Sequence, residues 1–140
     1  MSKIAVVYWS GTGNTEMMAN AVAEGITGAG AEAELITADN FTADMVDNYD
    51  AIAFGCPAMG AEVLEEDIFE PMFTSVEEKL SGKKIVTFGS YDWGDGEWMR
   101  TWDERCKNDG AQVAADFVIC NNTPDDEGLA NCRNLGAALV

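Results

Sequence analysis

Short apolar runs alternate with amphipathic stretches along the whole of this chain, and that alternation leaves few folds open. Lys3–Tyr8, Asp50–Gly55 and Lys83–Phe88 are built around Ile, Val, Ala and Phe. A strand that is apolar on both faces must be covered on both faces, which is the situation in a parallel sheet. Helical stretches separate these runs, over about Asn14–Ala29, Glu65–Leu80, Glu97–Asn108 and Asp125–Leu139. Pro71 falls inside the second of them and predicts a kink or break there. In the third, Trp98, Trp102 and Cys106 stand at i, i+4 and i+8 and mark the buried face, with Gly110 as the stop. Ala31–Thr37 alternates as a strand, Asp39–Asp47 reads as a loop with a short helix, and Gln112–Cys120 is the last strand. Five strands alternating with helices predict one α/β domain over residues 1–140, with a doubly wound parallel sheet. Ligands of such sheets bind outside the strand C-termini, where the strand order reverses. The segments to inspect are therefore Trp9–Thr15, Cys56–Glu62 and Gly89–Gly96.

Charge narrows the function. The chain carries 25 acidic against 8 basic residues, a formal −17, and no His. Nucleic acid and anionic lipid are excluded as partners, because binding them needs Lys and Arg against phosphate. Basic protein surfaces are the expected partners. After Lys3 no basic residue occurs until Lys79, so the first half builds a strongly negative field. No run approaches the roughly 20 apolar residues of a membrane span, and the N-terminus has no signal-peptide pattern, so a cytoplasmic monomer is expected. The thiols Cys56, Cys106, Cys120 and Cys132 form no CxxC and match no zinc or iron–sulfur spacing, so they are expected to be reduced, buried thiols.

Ser10-Gly11-Thr12-Gly13-Asn14-Thr15 leaves a buried strand and opens a helix. Its glycines let successive N–H groups converge, the helix N-terminus adds its positive end, and the hydroxyls of Ser10, Thr12 and Thr15 add donors. That is a seat for a phosphate monoester. A triphosphate-hydrolysing loop needs GxxxxGK[ST], and no cation is present. A dinucleotide loop needs a third Gly where Glu16 stands.

This loop resembles the FMN phosphate loop of flavodoxins, [ST]xTGNT, and the resemblance extends over nearly the whole chain, nearest to the short clostridial type. It implies strand order 2-1-3-4-5 and a bound FMN. It assigns the phosphate to Ser10, Thr12, Asn14, Thr15 and the backbone from Gly11 through Gly13 to Thr15. Cys56-Pro57-Ala58-Met59-Gly60-Ala61-Glu62 resembles the loop over one face of the flavin ring, with Met59 on the inner face and Trp93 on the outer. The family turns the carbonyl at Gly60 towards flavin N5 on reduction, and matches Glu62 to the carboxylate that accepts from N3–H. Ser90-Tyr91-Asp92-Trp93-Gly94-Asp95-Gly96 resembles the second flavin loop, with Asp92 in place of the usual Gly. Ala61 replaces a common Asp or Ser.

The function implied is a low-potential one-electron carrier between redox proteins, and not an enzyme. Glu62, Glu65, Glu66, Asp67, Asp92, Asp95 and Glu97 are expected around the ring with no base nearby. Each carboxylate at ~10 Å opposes added negative charge by roughly 0.4 kcal/mol in near-aqueous dielectric, so several together lower the potential. A rival within the fold is an FMN accessory flavoprotein of ribonucleotide reductase activation. A receiver-type signalling domain, a rival of another class, needs an Asp closing the third strand and a Lys after the fifth. Those places hold Gly55-Cys56-Pro57 and Cys120-Asn121-Asn122.

Overall fold

The computed structural model describes residues 2–60 and 62–140. Among them are six strands: β1 (Lys3–Tyr8), β2 (Glu32–Thr37), β3 (Ala51–Gly55), β4 (Lys84–Tyr91), β5 (Gln112–Val113) and β6 (Val118–Asn121). Four α-helices accompany them: α1 (Asn14–Gly28), α2 (Phe69–Val76), α3 (Glu97–Asn108) and α4 (Asp126–Ala137). All strand pairs are parallel, in the order β2-β1-β3-β4-β5, and β6 also pairs with β4.

The strands alternate between two cores, as a sheet covered on both faces requires. Ala5, Val7, Ile52, Phe54 and Ile85 face α2 and α3, where Phe69, Phe73, Trp98, Trp102 and Cys106 are buried. Ile4, Val6, Ala51, Ala53, Val86 and Phe88 face α1 and α4, where Met18, Val22, Ile26, Cys132 and Leu135 are buried. The expected face of α3 is therefore the packed one.

Three expectations are corrected. The last strand is broken in two: β5 holds the start of β4, β6 holds Phe88–Tyr91, and residues 115–117 leave the ladder after Ala114 N–H has bonded Ile85 O at 2.9 Å. Ala115 and Asp116 there are poor strand formers. Because β6 pairs so far along, β4 runs on through Gly89 and Ser90 to Tyr91, where a loop from Gly89 was expected. Finally, α2 starts at Phe69, so Pro71 lies in its first turn and causes no kink. That turn needs no intrahelical N–H donors, and proline fits there. The residues before it form a cap: the Glu65 carboxylate accepts from the N–H groups of Asp67, Ile68 and Phe69 at 2.8, 2.7 and 2.8 Å.

Candidate functional site

A cleft of about 260 Å3 opens at the C-terminal ends of β1, β3 and β4, where the strand order reverses. Gly11, Thr12 and Asn14 line it from the β1–α1 loop. Ser10 shapes that loop from behind: its Oγ accepts from Gly13 N–H at 3.1 Å and Glu16 N–H at 3.3 Å. Gly13 sits at φ 97°, a left-handed conformation that glycine adopts without steric cost. The N–H groups of Gly11, Thr12, Asn14 and Thr15 take no hydrogen bond among the described residues. Four backbone donors thus remain for a ligand, with the Thr12 hydroxyl exposed beside them. Thr15 is placed differently. Its side chain is buried, and its hydroxyl pairs with Ser90 Oγ at 2.8 Å, tying α1 to β4 beneath the loop.

The other two walls are stapled to the sheet. After β3, Ala58 N–H donates to Ser90 O at 3.0 Å and Trp98 Nε1 to Cys56 O at 3.2 Å. Gly89 permits this approach, since a Cβ there would lie 2.1 Å from Cys56 O. Pro57, Ala58 and Met59 then face the cleft, and a turn closed by Glu62 N–H on Met59 O at 2.8 Å follows. On the β4 side Ser90, Tyr91 and Asp92 line the cleft. Asn121 Nδ2 donates to the carbonyls of Tyr91 and Asp92, each at 3.3 Å, and Asn122 N–H to Tyr91 O at 2.7 Å.

Two lining residues had been given no role in the site: Trp9, which opens the first of the three segments singled out, and Asn122. Trp9 stands between β1 and the phosphate loop, and its ring lies against Gly11, where a Cβ would sit 3.0 Å from it. A large aromatic at that chain position was the available signal. Asn122 has φ 56°, and its place just past the last strand was the only hint, since Asn tolerates that conformation. Of the expected ring residues, Trp93 stands on the rim, 59% exposed, and Gly60 is exposed with no atom within 4 Å of a Cβ position. Ala61 lies outside the described residues. Glu62, at φ 53°, tucks its carboxylate under Gly94, where a Cβ would meet Oε1 at 2.1 Å. That Oε1 is buried and has no hydrogen-bond partner among the described residues. Two electrostatic expectations change. Glu65 is turned inward as the α2 cap, and Asp95 is not free of bases, because Arg100 pairs with it at 3.1 Å.

A cation-free cradle of N–H and hydroxyl donors adjoins a slot walled by Trp9, Met59 and Tyr91, at a strand-order reversal. Glu62 Oε1, against Gly94, is a buried acceptor without a partner among the described residues. The residues fit a phosphate monoester carrying a flat aromatic ring, which makes this a mononucleotide-binding α/β protein suited to FMN. Residues 6–136 match the flavodoxin family model. A flavodoxin of Megasphaera elsdenii is 45% identical over 137 residues, covering 98% of each chain. One of Clostridium beijerinckii is 47% identical over 135 residues, covering 96% of this chain and 97% of the relative. The solution structure of two-electron reduced Megasphaera elsdenii flavodoxin superposes with a TM-score of 0.90 at 46% identity, covering 97% of each chain. The chain belongs to the flavodoxin family: its cofactor is FMN, and it is an electron-transfer protein rather than an enzyme.

Proposed function

We propose that the N–H groups of Gly11, Thr12, Asn14 and Thr15, with the Thr12 hydroxyl, hold the phosphate of FMN, while Trp9, Met59 and Tyr91 wall its ring. The observation that carries this is the run of N–H groups at Gly11, Thr12, Asn14 and Thr15 without partners among the described residues, in a loop that lines the apolar slot. Ser10 and Thr15 serve the same loop indirectly, one shaping it and one anchoring it to Ser90. FMN, when bound, supplies reversible electron transfer. The chain sets how readily that happens. Glu62 offers its unpartnered oxygen to the ring N–H, and Gly60 turns its carbonyl towards N5. Exposed Glu66, Asp67, Asp92 and Glu97 oppose added negative charge and hold the potential low. Trp93 covers the ring from the rim.

The partners are redox proteins, and we infer that they dock through basic surfaces on the acidic rim around Asp92 and Trp93. A single 140-residue domain acting as a cytoplasmic monomer suits this shuttling role. Among the described residues no helix is long and apolar enough to cross a membrane. The test of the phosphate seat compares FMN with riboflavin. Thr12→Val is expected to weaken FMN binding about tenfold, the scale of one hydrogen bond to a charged group, and to leave riboflavin unchanged. Equal losses for both ligands place the phosphate elsewhere.

A further inference from the structure

Away from the FMN cleft, two thiols from different elements share one buried cluster. Cys120 is on β6, and its Sγ lies against the first turn of α4, 2.7 Å from where a Cβ on Gly128 would stand. Cys132 is one helical turn beyond Gly128, on the same face of α4, and is wholly buried. Helical side chains lean towards the helix N-terminus, so Cys132 leans towards the Gly128 turn on which the Cys120 sulfur rests. Cys120 is also within reach of solvent: it lines a cleft of about 270 Å3 together with Asn121, Thr123, Asp125, Gly128 and Asn131. The neighbouring Cys132 thiol lowers the Cys120 thiol from its ordinary value, against burial and the Asp125 carboxylate, which push it up. The other two thiols contrast with this. Burial pushes Cys56 far up and Cys106 up to about 12, and both are fully buried.

We propose that Cys120 and Cys132 form a hydroperoxide-reactive dithiol that closes to an intramolecular disulfide joining β6 to α4. The cleft admits a small peroxide to Cys120 and leaves Cys132 as the thiol waiting behind it. The Cys120 thiolate attacks one peroxide oxygen, forming an S–O bond and breaking O–O. The departing hydroxide takes the proton that Cys120 gave up and leaves as water. Cys132 then attacks the Cys120 sulfur, forming S–S and breaking S–O, and its proton leaves with the second hydroxide as water. Two thiols are oxidised by two electrons in total, and one hydroperoxide is reduced. Oxidation stops at the disulfide because the resolving thiol stands in the same buried cluster as Cys120.

The experiment treats the FMN-loaded protein with hydrogen peroxide, confirms by flavin absorbance that it stays folded, quenches, and alkylates under denaturing conditions. The expected result is a mass loss of about 2 Da, reversed by dithiothreitol. Two of the four thiols should escape alkylation, and a linked Cys120–Cys132 peptide should appear. In Cys132→Ser the reaction should stall at Cys120, which dimedone then traps, while Cys120→Ser should leave its remaining thiols reduced. Four alkylatable thiols after treatment of the wild type overturn the proposal. So does a linkage through Cys56 or Cys106, or oxidation of Cys120 in the wild type without linkage to Cys132. The wild-type map decides by itself if a serine variant fails to fold.

Discussion

Glu65 reads as one more acid in an acidic segment, yet its carboxylate closes the start of α2 with three short bonds from backbone N–H groups. Burial pushes its pKa up, but the donors at Phe69, Ile68 and Asp67 together outweigh burial and hold it below the ordinary carboxylate value. A depressed folded pKa contributes stability that is complete above the unfolded value and is lost as pH falls through the folded one. Glu65→Ala is therefore expected to lower urea stability by about 1–2 kcal/mol at neutral pH, the cost of a lost cap. The difference should shrink as pH drops below about 4. A pH-independent difference would assign the loss to packing. Gly60 tests a different residue-scale claim. Its Cβ position is empty, so a side chain is tolerated in the oxidised protein. The cost of Gly60→Thr should fall where the peptide turns towards N5 on reduction, at roughly 1–2 kcal/mol of backbone strain and weakened hydrogen bonding. Reductive titration of the variant should accumulate less of the one-electron-reduced form, with the first couple moving negative by about 40–90 mV. FMN affinity in the oxidised state should be nearly unchanged. Equal accumulation in both proteins would make Gly60 only a turn residue.

At the scale of elements, α1 and α4 cover one face of the sheet and touch through glycines. A Cβ on Gly25 would lie 1.8 Å from Arg133 O, and one on Gly136 would lie 2.1 Å from Val22 O. Helix propensity favours Gly25→Ala by about 1 kcal/mol. Contact at that distance forces the helices apart, and overpacking of this kind costs about 1–3 kcal/mol. The clash should win, so Gly25→Ala is expected to lower the thermal midpoint. Gly28→Ala serves as the control on the same helix. It meets no atom within 4 Å and has no left-handed φ, so it should raise the midpoint slightly. If both substitutions stabilise, α4 can retreat at no cost. On the opposite face Arg105 joins α2 to α3 by pairing with Glu70 and Glu77 while lying 4.9 Å over the Phe73 ring. The two helices that carry the flavin-side core are thereby held as one unit.

Over the whole molecule the formal charge of −17 is unevenly laid out. Glu66, Asp67, Asp92, Asp95 and Glu97 are exposed on segments near the C-terminal end of the sheet, while Lys3 and Lys84 begin strands at the other end. A partner approaching the FMN edge meets the negative end first. Electron-transfer rates to a basic partner should therefore fall steeply as ionic strength rises from about 0.01 to 0.15 M, as the screening length shortens from roughly 30 to 8 Å. A flat salt profile would remove charge from the docking step.

The parallel sheet, its helices and the glycine-and-hydroxyl loop after β1 were legible from residue order alone, because apolar period and Gly-hydroxyl density are local properties. The buried stripe of α3 at Trp98, Trp102 and Cys106 was legible for the same reason. Positions that depend on another segment were not. The reach of β4 to Tyr91 needs β6 beside it, and the break at residues 115–117 shows only once both halves are paired with β4. Thr15 looks like a phosphate donor until Ser90, 75 residues away, claims its hydroxyl. Glu65 looks like a solvated acid until α2 turns its first N–H groups onto it. Hydrophobic period is written into neighbouring residues, whereas a hydrogen bond goes to whichever partner the folded chain brings within 3 Å.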